Sequence, residues 1–327
     1  MKKLCVVLYV FGDNYQEYLP VFLLSLFKLY PDYGVRVYLD RNLSEKVKKQ
    51  VEPFEKYDFT VIENYKAEIG LSEKATKISQ IEKCQRWFFI DEAFFDYEAV
   101  YIGDIDIIFC PEKEPLFEAH MNHCGVLGKP YSNIKRTSKN KIFKPKYIAR
   151  NVVKFGIKET FKYYFGDGSD MNKLSGLHFV KTKEYFEKLE TVRDRFIKEL
   201  NLLAEGKSKK YNLCSFRNET LLHDIVNESG MGVPEIYYKS GYTKYNISQD
   251  SNEYGYRPHH GIHLGIFRDN ITPQRDTAIT LSELYKSYYK YFCELEKTEE
   301  YKTIEKLYTP YIREIIDNMH DFYRDKV

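Results

Sequence analysis

Long apolar runs, paired cysteines and a lopsided charge are all missing from this 327-residue chain. No run approaches the roughly 18 to 20 consecutive apolar residues that cross a bilayer, and the longest candidate, Leu19 to Phe27, has the length of a buried amphipathic helix. The six cysteines (Cys5, Cys84, Cys110, Cys124, Cys214 and Cys293) are scattered, with no Cys-x-x-Cys pair and no spacing that suits zinc. Reduced, mostly buried thiols in a cytosolic protein are the economical reading. Fifty Lys and Arg against 48 Asp and Glu leave a formal charge of +2, which gives no overall attraction to nucleic acid, so any electrostatic recognition has to be local. Trp occurs once, whereas Tyr occurs 30 times and Phe 22 times; such flat faces suit sugar rings, although a Tyr- and Lys-rich composition explains them equally well. Met1-Lys2-Lys3 followed by Leu4 to Phe11 imitates a signal peptide, but the apolar run is short, has no small-residue cleavage site and stops at Gly12-Asp13. It reads better as a first buried strand.

From that strand the chain alternates. A helix from about Gln16 to Tyr30 is closed by Pro31, a strand spans Val35 to Leu39, Ser44 caps a helix running to about Glu52, and Phe59 to Ile62 is a third strand. This βαβαβ order predicts a mostly parallel α/β sheet flanked by helices. Lys74 to Phe95 has helical period and leads into a strand at Ala99 to Ile102; Leu177 to Val180 is expected as a strand, Tyr185 to Leu203 as one long helix and Glu219 to Glu228 as a shorter one. From Thr280 onward the chain reads as charged, Tyr-rich helices broken near Thr309-Pro310. The expected organisation is a catalytic domain over 1–275 and a helical C-terminal extension over 276–327. Residues 129–162 stand out within the first, with eleven Lys or Arg against a single acid, Glu159.

The sharpest local signal is Val100-Tyr101-Ile102-Gly103-Asp104-Ile105-Asp106-Ile107-Ile108-Phe109, where two acids interrupt an unbroken apolar stretch. Buried carboxylates are too costly to leave unpaired, so something cationic should meet them. In an open α/β sheet, ligands bind beyond the C-terminal strand ends, where this pair falls. Extended backbone points Asp104 and Asp106 to one side. Two converging hard oxygen ligands suit Mn²⁺ or Mg²⁺, with a ligand's phosphates completing the shell. The competing reading has one Asp capping a helix over Pro111 to Phe117 and the other paired with an arginine.

The segment resembles the DxD strand of GT-A glycosyltransferases, the nucleotide-diphospho-sugar transferases, particularly retaining enzymes of the glycogenin and bacterial galactosyltransferase type. In these a helix ending in Arg or Lys precedes the DxD strand, and Arg86 holds that place ahead of Tyr101-Ile102-Gly103-Asp104-Ile105-Asp106. The resemblance implies a base pocket at Tyr9, Phe11 and Tyr15, with Tyr15 stacking on uracil, phosphate contacts from Arg86 or Arg268, and backbone near the donor at Gly103, Ser175 and Gly176. Leu174-Ser175-Gly176-Leu177-His178-Phe179 lacks the Asn of the family's Asn-x-Gly motif. Asn218-Glu219 replaces an acid-led pair that opens a helix, and Glu219 also reads as an ordinary helix-start acid. Arg257-Pro258-His259-His260-Gly261-Ile262-His263-Leu264-Gly265-Ile266-Phe267-Arg268 is similar to the late His-rich element that supplies a third metal ligand. His263 is the first choice there and His260 the second.

The resemblance thus implies a hexosyltransferase in polysaccharide or glycan biosynthesis. It would move a hexose or N-acetylhexosamine from a nucleotide sugar, UDP-linked by implication, to a saccharide or lipid-linked saccharide. An inverting enzyme would need a carboxylate base, for which Glu219, Asp167 and Asp170 are candidates; retention would need none. The 129–162 stretch reads as an acceptor-side insert that contacts an anionic acceptor or an anionic membrane, or as a solvated basic face. The expected location is cytoplasmic, at most peripheral at the inner face of a membrane, with no nucleic-acid partner. A sugar-nucleotide pyrophosphorylase would need a Gly-rich loop that Gly12-Asp13-Asn14 does not offer. A non-catalytic nucleotide-sugar or carbohydrate-binding protein on the same fold is the alternative of a different class.

Overall fold

Seven consecutive apolar residues, Leu4 to Val10, can bury all their side chains only in a strand covered on both faces, and that strand is the centre of the protein. The computed structural model describes residues 1–65, 69–138, 145–165, 171–233, 237–238, 260–268 and 280–327. Strands β1 (Lys2–Val10), β2 (Gly34–Leu39), β3 (Phe59–Ile62) and β4 (Tyr97–Gly103) are mutually parallel in the order β3-β2-β1-β4. A short pair, β5 (Ile107–Phe109) and β11 (Gly261–His263), stands apart. The central sheet is completed by β9 (His178–Lys181), antiparallel to β4, and by the edge strand β6 (Tyr131–Ser132). Strands β7 (Lys135–Ser138), β8 (Met171–Leu174) and β10 (Tyr237–Tyr238) form a small sheet in the order β10-β7-β8. Tyr131 and Ser132 of the basic stretch therefore edge the central sheet, and its residues 135–138 pass into the small one.

Alternation along the strands sorts side chains into two cores. Leu4, Val6, Leu8 and Val10 join Val35, Val37 and Leu39 beneath the helices Leu19–Leu29, Glu45–Val51 and Leu116–Leu127. Cys5 and Val7 join Tyr38, Val100, Ile102 and Val180 beneath Thr182–Glu190, Arg193–Ala204 and Asn218–Glu228. The C-terminal helices Glu283–Glu296, Glu299–Glu305 and Pro310–Tyr323 bury Tyr285, Phe292, Ile304, Ile312, Ile316 and Met319 in the first of these cores. They are tied there by Gln50 Nε2 donating to Ile304 O at 2.7 Å and Asn318 Nδ2 to Phe267 O at 3.2 Å. All cysteines are free thiols, with Cys293 alone incompletely buried. Among the described residues no helix is long and apolar enough to cross a membrane.

The mostly parallel α/β sheet expected from the sequence is present, and Ser44 caps its helix by accepting from Val47 N. Two expected long helices are broken. Residues 74–95 fold as short turns, Glu73–Thr76, Ser79–Glu82, Lys83–Trp87 and Glu92–Asp96. Trp87 Nε1 donates to Asn218 O at 3.1 Å, and Asp91 restarts the chain by capping Ala93 N at 2.8 Å; tertiary anchors outweigh local period here. The helix expected over 185–203 divides at Thr191-Val192, where Val192 is buried and the Thr191 hydroxyl donates to Lys188 O at 2.7 Å.

Candidate metal centre

Beyond the last residue of β4, the chain turns through Asp104 and Ile105 before starting β5. Apolar Ile107 to Phe109 are fully enclosed, which holds the turn down, and β5 pairs antiparallel with β11 in a register that sets His263 opposite Ile107. Leu264 N donates to Asp106 O at 2.8 Å, closing the pairing one residue further on. A segment over 150 residues distant in sequence is thereby laid beside the carboxylate pair. One ligand atom each from Asp104, Asp106 and His263 lie within 4.8 Å of one another.

Each acid is met by protein cations. Arg86 Nη1 lies 2.8 Å from Asp104 Oδ1. His263 Nε2 is 3.0 Å from Asp106 Oδ1, and Arg268 Nη2 is 2.7 Å from Asp106 Oδ2. Burial alone would push the Asp106 carboxyl up, but His263 and Arg268 beside it hold it below the usual carboxylate range. Burial likewise favours neutral His263, and the contact with Asp106, reinforced by Asp104, reverses this and raises its pKa. Gly265 leaves room for the cluster: a Cβ there would collide with Asp106 Oδ2 and the Arg268 guanidinium. Arg86 Nε and Arg268 Nε are both buried donors without a hydrogen-bond partner, an unusual expense unless a ligand's oxygens accept from them.

Several of the remaining site residues touch the side chains of this centre, while Tyr9 and Phe11 form an aromatic group of their own. Gly176 passes so close to Arg86 that a Cβ would sit 2.9 Å from Nη2, and Glu219 Oε1 would be 4.0 Å from the same point. Glu219 also faces Lys173 at 3.5 Å. Asn218, the first residue of its helix, turns its carbonyl to Trp87. Ser175 is buried, and its hydroxyl accepts from Leu177 N at 3.3 Å within the turn that carries Gly176. Gly103 ends β4 with the Tyr101 ring 3.0 Å from where its Cβ would be. Tyr15 accepts a hydrogen bond from Arg268 Nη1 at 2.9 Å, so it is linked to the carboxylate centre through the arginine. Tyr9 meets Phe11 and Tyr65 edge-on, with centroids 4.5 and 5.9 Å apart, and its hydroxyl donates to Gln85 Oε1 at 3.0 Å.

His260, the second choice of ligand, is not in the cluster. It is buried behind β11, with Nδ1 3.8 Å from Glu112 Oε2, because successive strand residues alternate faces. Arg257, Pro258, His259, Asp167 and Asp170 lie outside the described residues. A second group of metal-ligand types, Cys293, Glu296 and His320, sits in the C-terminal helices; there His320 is engaged by Glu296 at 3.0 Å and by the Tyr289 hydroxyl at 2.9 Å. Three residues not singled out in the sequence organise the surroundings of the site. Asn133, from the basic stretch, accepts from Ser175 N at 2.8 Å and donates to Ser175 O and Leu177 O, fixing the Gly176 turn against Arg86. Asp40 at the end of β2 accepts from Gly12 N at 3.2 Å, and Gln85 orients Tyr9. Only Asp40 carried a signal, as an acid at a parallel strand's C-terminal end.

No protein-family model and no curated protein matches the chain. Solved structures do. Core-mannan synthase A (CmsA/Ktr4) from Aspergillus fumigatus, in an Mn/GDP form, is 12% identical with a TM-score of 0.43, covering 72% of this chain and 71% of its own. The galactosyltransferase LgtC in complex with donor and acceptor sugar analogs is 16% identical with a TM-score of 0.39, covering 92% of this chain and 99% of its own. The glycosyltransferase GlyE of Streptococcus pneumoniae TIGR4 is 12% identical with a TM-score of 0.40, covering 94% of this chain and 63% of its own. At these scores the likeness is loose, and the chemistry has to be read from the residues themselves.

Proposed function

We propose that the chain is a metal-dependent GT-A glycosyltransferase. It moves a hexose or N-acetylhexosamine from a nucleotide-diphospho-sugar, UDP-linked in our reading, to a saccharide or lipid-linked saccharide during glycan synthesis. The observation that carries this reading is the convergence of Asp104, Asp106 and His263 within 4.8 Å, beyond the C-terminal end of a parallel strand and flanked by Arg86 and Arg268. Two carboxylates and an imidazole fit Mn²⁺ or Mg²⁺ as a donor set. The unpartnered Nε donors of both arginines supply what an anionic ligand of that ion requires. When bound, the ion would act as Lewis acid and template for the diphosphate leaving group.

The protein's own groups do the rest. Arg86 and Arg268 stabilise charge that grows on the leaving phosphates as the glycosidic bond lengthens, an effect strongest in a partly dehydrated site. Tyr9, Phe11 and Tyr15 border the base, with Tyr15 also positioning Arg268. Gly103, Ser175 and Gly176 present backbone to the donor, and Gly176 keeps clear the space between Arg86 and Glu219. Glu219 faces the sugar and acceptor, with Asn218 holding the start of its helix. In a retaining reaction the leaving phosphate takes the acceptor's proton; in an inverting one Glu219 is the base. A lipid-linked acceptor would place the chain at the inner face of an anionic membrane. Non-catalytic sugar-nucleotide binding is the second reading, favoured by the engagement of both Asp106 oxygens by protein cations.

Hydrolysis and transfer from a panel of nucleotide sugars, with and without Mn²⁺, separates the two. Transferase function predicts Mn²⁺-dependent loss of one donor, abolished in Asp104→Asn. Tight donor binding without turnover under any acceptor would favour the second reading.

A further inference from the structure

The helices Pro145–Phe155 and Ile157–Phe165 follow the basic stretch's strands and meet at Gly156, whose φ of 84° lets one helix stop and the next start. Their apolar residues are placed against expectation for a soluble surface. Pro145–Phe155 fully buries none of its residues, and Ile148, Asn151, Val152 and Phe155 are half-buried. On Ile157–Phe165, Thr160 and Tyr164 are buried, whereas Ile157 is 73%, Phe161 62% and Phe165 68% exposed; Val153, on the preceding helix, is 88% exposed. Spacing of four along a helix advances by only about 40° per step, so Ile157, Phe161 and Phe165 form one stripe. Thr160 and Tyr164 hold the helix to the protein along one edge of that apolar arc and leave the other edge turned outward. Phe161 and Phe165 lie against each other in a tilted pair, with ring centroids 4.5 Å apart.

Charge completes the pattern. Lys146, Arg150, Lys154, Lys158 and Lys162 accompany the stripe against one acid, Glu159, and all five cations are exposed. Lys158 and Lys162 fall next to the stripe on the helical wheel, Lys162 Nζ donating to Ser208 O at 3.4 Å and Lys158 facing outward. A merely solvated basic face would not carry bulky apolar side chains between its lysines, and a protein-docking groove would not need its rim to be so uniformly positive. An apolar ridge bordered by cations on a short surface helix matches an anionic lipid leaflet, where apolar groups enter the acyl boundary and lysines meet headgroup phosphates. We propose that this helix pair is a membrane-docking element that seats the protein on anionic lipid through Val153, Ile157, Phe161 and Phe165, with Lys154 and Lys158 at headgroup level. This names a surface distinct from the carboxylate centre, and it stands or falls independently of what that centre catalyses.

Sedimentation of the full chain with phosphatidylcholine–phosphatidylglycerol vesicles, and with phosphatidylcholine vesicles alone, tests it. The expected result is binding to the anionic vesicles only, weakened by salt, and reduced about tenfold or more in Ile157→Ser/Phe161→Ser and in Lys154→Ala/Lys158→Ala. These positions are exposed, and unchanged melting of each variant shows that the fold is intact. Failure to sediment, or binding that survives both double variants, overturns the proposal. So does a concentration-dependent dimer abolished by Ile157→Ser/Phe161→Ser, since a second copy of the chain would then be what covers the stripe.

Discussion

The turn at Asp104–Asp106 and the helix pair at 145–165 reverse the usual distribution of polar and apolar groups in opposite ways. In the first, an enclosed apolar strand is interrupted by charge, and every charge there is matched: Arg86 to Asp104, His263 and Arg268 to Asp106. In the second, apolar groups face outward among cations. Both arrangements are costly for an isolated chain. One is resolved by partners drawn from distant sequence; the other by something outside the protein. A position that breaks local expectation is thus a pointer to function only once its compensating partner has been sought.

Each of the two regions can be perturbed separately by substitution. The largest effect is expected at the centre: Asp106→Asn keeps the side chain's shape but removes its charge, and Mn²⁺-dependent turnover should fall by at least about a hundredfold. Asp104→Asn, at a more exposed carboxylate, should give a similar loss with less effect on melting; wild-type turnover in either would remove the centre from the chemistry. Gly265→Ala should come next. Its Cβ meets Asp106 and Arg268, so melting should drop by the equivalent of about 1–3 kcal/mol together with activity, read by thermal denaturation. Asn133→Ala leaves the backbone groups of Ser175 and Leu177 without their partner and should destabilise by about 1–3 kcal/mol, raising donor KM as the Gly176 turn loosens. Phe161→Ser should be the mildest for the folded state, within about 0.5 kcal/mol of wild type, because the ring is already exposed. A large loss of stability there would mean that the stripe is packed against the protein.

Much of the fold is legible in the chain because parallel strands announce themselves: Leu4 to Val10 is apolar throughout and Val35 to Leu39 is apolar but for Arg36, and their helices carry ordinary caps and prolines. Asp104 and Asp106 were legible for the same reason, as charges inside an apolar run. His263 was distinguishable from His260 only by strand alternation, which fixes which of the two turns toward Asp106 once the β5–β11 register is known. The broken helices at 74–95 and 185–203 were not legible, since their interruptions depend on Trp87 reaching Asn218 and on Val192 being buried. Asn133 was hidden by its neighbourhood: in a stretch dominated by lysine it reads as a loop residue, yet it is buried and secures the turn opposite Arg86.

The most direct measurement of the central claim is the thermal stabilisation of wild type and Asp104→Asn by UDP, each with and without Mn²⁺. If the carboxylate pair holds a cation that in turn holds a diphosphate, UDP raises the melting temperature of the wild type substantially only with Mn²⁺, and that dependence vanishes in the variant. An equal UDP shift with and without the metal, or one retained in Asp104→Asn, would contradict it.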